Sequence, residues 1–175
     1  TTGSYNTVLG YQAMYAGTAT QAGTVAVGKN ALNALSSGSG NTAVGYESLK
    51  TISTGASCTA VGYEAGELIT GSLNTVIGYQ AADVLASGTS NTIVGARAFG
   101  AADGSETNST IIGTDAGSAI DHDSTDGNVI IGNDAGTGGG AALIDCVLIG
   151  YNAMNSTGNN PQTGTVAVGK NALTS

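Results

Sequence analysis

The chain has 175 residues, of which 29 are glycine, one phenylalanine, one proline and none tryptophan; 41% are hydrophobic, 9% are charged, and the formal net charge is −8. It is too poor in bulky side chains for an ordinary globular core, yet too apolar and too weakly charged for intrinsic disorder. The negative balance argues against nucleic acid or anionic membranes as partners; no apolar run is long enough for membrane insertion, and no signal-peptide pattern opens the sequence.

Self-similarity resolves the compositional conflict. The segment Asn41-Thr42-Ala43-Val44-Gly45 recurs ten times, closing at Gly10, Gly28, Gly45, Gly62, Gly78, Gly95, Gly113, Gly132, Gly150 and Gly169, at spacings of 16 to 19 residues. Counting back from each glycine, the minus-one residue is always a large aliphatic (Leu9, Val27, Val44, Val61, Ile77 and onward). The minus-two residue is apolar, minus-three is Thr or Val, and minus-four is small and uncharged, most often Asn. Strand side chains alternate between faces, so a segment apolar on both sides predicts a β-strand covered twice. One cover is the interior of its own coil, and the other has to come from a neighbour. Past the glycine stands a mostly amphipathic plus-one residue, often Tyr. A polar plus-two residue is expected to face water, and a small plus-three residue, Ala in nearly every copy, turns inward. The remainder of each period reads as a Gly-, Ser- and Thr-rich return loop. The pattern predicts an all-β chain, a parallel β-solenoid (β-roll or β-helix) of about ten rungs spanning residues 1–175 as one domain. Stacked at about 4.8 Å per rung, it would form a rod of roughly 45 Å.

In chain order, residues 1 to about 100 form regular rungs. From about Ala101 to Thr157 the periods lengthen and turn acidic, with Asp103, Glu106, Asp115, Asp121, Asp123, Asp126, Asp134, Asp145 and the single His122. The last rung is regular again, since residues 164–173 are identical to residues 23–32. Neither end carries a polar cap, and head-to-tail stacking of copies would continue the period at 16. The expectation is therefore a mature or excised segment of a longer fibre, or a chain that stacks end to end. Cys58 and Cys146 share the minus-four column five rungs apart. That separation of roughly 24 Å is too far for a disulfide, so both read as small buried residues.

Several motifs compete with the repeat. Residues Gly23 to Asn30 approach a phosphate-binding loop, but the Ser or Thr that would ligate magnesium is missing and the intervening residues are strand core. Gly136, Gly138, Gly139 and Gly140 lack dinucleotide-binding spacing and read as a loose turn. Asp121, Asp123 and Asp126 before Gly127 resemble a calcium loop without its strict ligand order, and Asp115 and Asp134 share a column nearby; a solvated acidic loop is the plainer reading. Tyr46, Tyr63 and Tyr79 on consecutive rungs predict a ring ladder that could stabilise the stack or bind sugar rings. Asn108-Ser109-Thr110 and Asn155-Ser156-Thr157 are glycosylation sequons in a suitable host. His122 has no evident nucleophile partner, so the sequence assigns no catalytic, cofactor-binding or metal site and reads as non-enzymatic.

Copies such as Asn41 to Leu49 (NTAVGYESL) and Asn74 to Ala81 (NTVIGYQA) resemble repeats of bacteriophage tail-fibre proteins and the head repeats of trimeric autotransporter adhesins. The resemblance covers essentially the whole chain, although the adhesin repeats are shorter. It implies a homotrimeric rod on a virion, a cell surface or another extracellular structure, supporting attachment to a host glycan or receptor. A self-polymerising filament and an ice-binding solenoid, the latter from the threonine column, are the alternatives.

Overall fold

The computed structural model describes residues 5–16, 21–120, 122, 124–138, 142–155 and 160–174, and they form a parallel β-solenoid. Each repeat contributes a three-residue strand: β1 (Thr7–Leu9), β2 (Val25–Val27), β3 (Thr42–Val44), β4 (Thr59–Val61), β5 (Thr75–Ile77), β6 (Thr92–Val94), β7 (Thr110–Ile112), β8 (Val129–Ile131), β10 (Val147–Ile149) and β12 (Val166–Val168). These make one ten-stranded sheet, every neighbour parallel. Pairing is column on column: Ala26 faces Ala43, Ala43 faces Ala60, and Val76 faces Ile93. Two shorter strands, β9 (Leu143–Ile144) and β11 (Gln162–Thr163), pair on a second ladder that isolated bridges extend to Thr107 and Asp126.

The closing glycine is required by two independent constraints. At Gly45, φ is +142°, a conformation that L side chains rarely adopt. A Cβ there would also collide with the carbonyl of Gly62 on the next rung, and the same clash recurs from Gly10 through Gly150. Two further columns, less visible in the sequence, follow each glycine with left-handed backbone. The plus-two residue has positive φ in every rung (Glu47 55°, Glu64 53°, Arg97 52°), and so does plus-four (Leu49 48°, Gly66 58°, Phe99 57°). The residue two places before the strand repeats this (Ser57 58°, Leu73 65°, Ser90 60°). The plus-two N–H points back along the rod and the plus-four N–H points forward. Glu64 N–H donates back to Tyr46 O at 2.8 Å, whereas Leu49 N–H donates forward to Ala65 O at 3.1 Å. The bends therefore continue the inter-rung hydrogen bonding that the strands begin.

The interior is narrow and filled by four inward columns. Minus-two is fully buried along the sheet (Ala43, Ala60, Val76, Ile93, Ile111, Ile130, Leu148), as is plus-three (Ala31, Ala65, Ala81, Ala98). The other two come from the stretch that reads as a return loop: plus-four (Leu32, Leu49, Phe99) and plus-seven (Leu35, Ile52, Ile69, Leu85, Ile120), all buried. Large and absent side chains complement one another there. Gly66 leaves room for the Ile69 and Leu49 methyls, and Gly117 for Ile120 and Phe99.

The minus-four column closes the interior with an asparagine ladder. Asn91 Nδ2 donates to Glu106 O at 2.8 Å, and its Oδ1 accepts from Ser109 N–H at 3.0 Å, both one rung on. Asn74 and Asn128 repeat the arrangement, to Gly88 and Asn91 and to Leu143 and Cys146 respectively. Cys58 and Cys146 occupy the same column, buried and not bridged. The Cys58 thiol, pushed up by burial, is a weak donor to Gly71 O at 3.3 Å.

Candidate functional site

The inward and outward faces of the sheet differ as the alternation of strand side chains requires. Minus-two residues are sealed, but their minus-one neighbours remain partly in water: Val61 is 37% exposed, Ile77 40% and Ile112 37%. Thr42, Thr59, Thr75, Thr92 and Thr110 share that outward face on consecutive rungs. Neither outward column contains a charged residue in any rung. The chain thus leaves a long, flat, apolar strip one strand wide, and most of its exposed large hydrophobic side chains among the described residues lie on it or beside it. The single chain supplies only the inner of the two covers that the strand composition demands.

The strip is flanked on one side by the plus-one column. Tyr46 and Tyr63 stack at 5.0 Å between centroids and 9° between planes, and Tyr63 and Tyr79 at 5.5 Å and 15°. Lys29 Nζ sits 5.3 Å from the Tyr46 centroid, a cation–π contact that closes the ladder at one end. Lys170 is placed likewise over Tyr151 at 5.8 Å. Because the rings cover one another face to face, Tyr63 has no open face for a sugar to stack on. The glutamates beside Tyr46 and Tyr63 (Glu47 and Glu64) hold both phenols above their ordinary range. Lys29, the lysine of the phosphate-loop-like stretch, is taken up in this ladder, and Val25–Val27 of that stretch is β2, so no phosphate cradle forms.

Charge is concentrated on a different corner, built by the plus-two and plus-five columns. Plus-two residues, expected in water, are mostly half-buried instead and bond along the rod, because left-handed backbone tucks them against the neighbouring rung. Asn30 donates to Glu47 at 2.9 Å, Gln80 to Glu64 at 2.8 Å, and Arg97 grips Asp115 bidentately at 2.7 and 2.6 Å. Lys50 lies between Glu47 at 2.7 Å and Glu67 at 2.8 Å. Its hydrogen bond is the main reason the Glu47 carboxyl is held down at about 2. Glu47, Glu64 and Glu67 place one oxygen each within 4.8 Å of one another, but the Lys50 ammonium already pairs with two of the three.

The candidate calcium loop is not assembled among the described residues. Asp121 and Asp123 lie outside them. Asp126 Oδ1 accepts from Thr107 Oγ1 at 2.8 Å and Asn108 Nδ2 at 2.9 Å, and these bonds, Asn108 first, hold its carboxyl below the ordinary range. Asp115 is taken by Arg97, and His122 accepts from Ser124 N–H at 3.1 Å. Asn108, the sequon asparagine, is tied into this ladder; of the second sequon, Ser156 and Thr157 lie outside the described residues, as do Gly139 and Gly140 of the glycine cluster. No nucleophile, base and oxyanion donor converge among the described residues, and no helix there is long and apolar enough to cross a membrane. No protein-family model, curated protein sequence or solved structure matches the chain.

Proposed function

We propose that the chain is a non-enzymatic structural rod, a segment of an extracellular or virion fibre that associates laterally as a homotrimer and supports attachment to a host surface. The observation that carries this reading is the charge-free outward strip of Val, Ile and Thr, half-exposed along the sheet while the residues behind it are sealed. Contiguous apolar surface of this length, bordered by tyrosines, is the signature of a protein–protein contact. Three copies meeting on a common axis would bury it, and their charged corners would face solvent. The resemblance of the repeats to phage tail-fibre and trimeric autotransporter head sequences supports the same arrangement. Mechanically, unbroken backbone pairing between rungs and a dry core give stiffness and leave few segments for a protease.

A double variant, Ile77→Lys with Val94→Lys, tests the strip directly. It should disperse the assembly into single chains that keep a β-rich circular dichroism spectrum. Retained association of a folded variant would place the interface elsewhere. The in-register hydroxyls of Thr42, Thr59, Thr75, Thr92 and Thr110 favour one second reading, an ice-binding face. A monomer with thermal hysteresis would speak for it, and an associated chain without hysteresis against it.

A further inference from the structure

The charged corner contains a cavity of about 200 Å³, lined by Gln80, Asp83, Arg97, Gly100, Asp115 and Ser118. None of these residues belongs to the outward strip or the tyrosine ladder. Its existence depends on Gly100. The plus-five column carries Tyr15, Asn33, Lys50, Glu67, Asp83, Ser118, Thr137, Asn155 and Thr174 on the other rungs, so the backbone there accepts ordinary side chains. Gly100 itself has no left-handed φ that would call for glycine, although a Cβ there would stand 3.2 Å from Arg97 O, close enough that the backbone must shift by a few tenths of an ångström to take one. The missing side chain opens a notch between Asp83 on one rung and Ser118 two rungs on.

The lining is chemically selective. Arg97 uses Nε and Nη2 on Asp115, which fixes a planar donor–acceptor pair and leaves Nη1 as a donor. Gln80 spends Nε2 on Glu64, so its amide oxygen remains as an acceptor. Arg97 and Asp115 neutralise each other, and Asp83 adds one negative charge with no cationic partner among the ion pairs of the described residues. Burial pushes the Asp83 carboxyl up, as expected of a carboxylate that would gain from a cation. We propose that this cavity binds a small hydroxylated primary ammonium ligand, the chemistry of a de-N-acetylated amino-sugar residue. Its ammonium pairs with Asp83, and its hydroxyls bridge the Arg97–Asp115 fork, the Gln80 amide and the Ser118 hydroxyl. The volume admits a single such residue, smaller than the pockets of drug-sized ligands, so affinity would come from repetition along a polymer and across copies of the chain.

The test is calorimetric titration of the full chain with a glucosamine tetramer, its fully N-acetylated counterpart, and spermidine. Binding of the free-amine tetramer is expected, weakened about tenfold or more in Asp83→Asn. Gly100→Asn, which restores a residue the column already carries at Asn33, should weaken it similarly by filling the notch, with circular dichroism confirming that both variants fold. The acetylated tetramer and spermidine should bind at least tenfold more weakly than the free-amine tetramer. No heat from the free-amine tetramer overturns the proposal, as does undiminished binding in Gly100→Asn. Equal binding of the acetylated tetramer overturns the ammonium assignment, and equal binding of spermidine reduces the effect to general attraction by an acidic surface. Association of chains is read separately by mass, so either proposal can fail without the other.

Discussion

At Gly62 and Gly23 the backbone is left-handed in both cases, but the surroundings differ. Gly62 has φ +143° and faces the Gly78 carbonyl, whereas Gly23 has φ +64° with nothing within 4 Å. Gly62→Ala must therefore push rungs apart, and we expect a loss of about 3 kcal/mol or more, against about 1–2 kcal/mol for Gly23→Ala. Urea midpoints of the two variants separate the collision from the dihedral cost; equal losses would mean that the stacked glycine contact is unimportant. The asparagine ladder makes a second prediction. Asn91→Ala strips partners from the Glu106 carbonyl and the Ser109 N–H, both buried, at a cost of about 2–3 kcal/mol. Cys58→Asn runs the other way. A cysteine cannot supply the acceptor that Asn41 gives Cys58 N–H at 2.9 Å, so restoring asparagine should stabilise the chain by about 1 kcal/mol, visible as a raised Tm.

For each rung, the strand and its closing glycine were legible in the sequence, and the bend after them was not. Val44 and Gly45 announce themselves because a two-sided apolar run and an unvarying glycine each have few structural explanations. Glu47, Glu64 and Gln80 mislead, because a polar column has two readings: solvent exposure, or left-handed backbone tucked against the next rung. The inward Leu35, Ile52, Ile69 and Leu85 did recur seven residues past the glycine, but glycines and serines around them gave the stretch a loop composition. The cavity at Gly100 is visible only when neighbouring rungs are laid side by side, since it consists of a side chain that is not there. The bend also makes a pH prediction. Glu47 sits at about 2 against an ordinary 4.5, chiefly through Lys50, so the folded chain favours its ionised form. That contribution is complete above pH 4.5 and is lost as pH falls toward 2. Lys50→Met should lower Tm at pH 7 by a few degrees and flatten the decline between pH 4.5 and 2. An unchanged acid profile would remove the ion pair from the account.

Over the whole molecule, the arrangement separates what needs water from what does not. Half of the chain's sixteen charged residues stand on the plus-two and plus-five corner, with a net charge of −4 there, and the outward columns carry none. A solenoid built from three-residue strands with an interior of Ala, Val, Ile and Leu has little depth of core per residue, so a second apolar layer adds stability that the coil alone lacks. In the proposed trimer, burying the strip between copies would supply that layer and would account for Ile77 and Ile112 standing where a lone solenoid would place polar residues. The most direct measurement is the solution mass of the purified chain by sedimentation equilibrium across a range of concentrations. A discrete species at three times the 16.9 kDa chain mass is expected. A stable monomer at every concentration, or a mass that grows without limit, would contradict it.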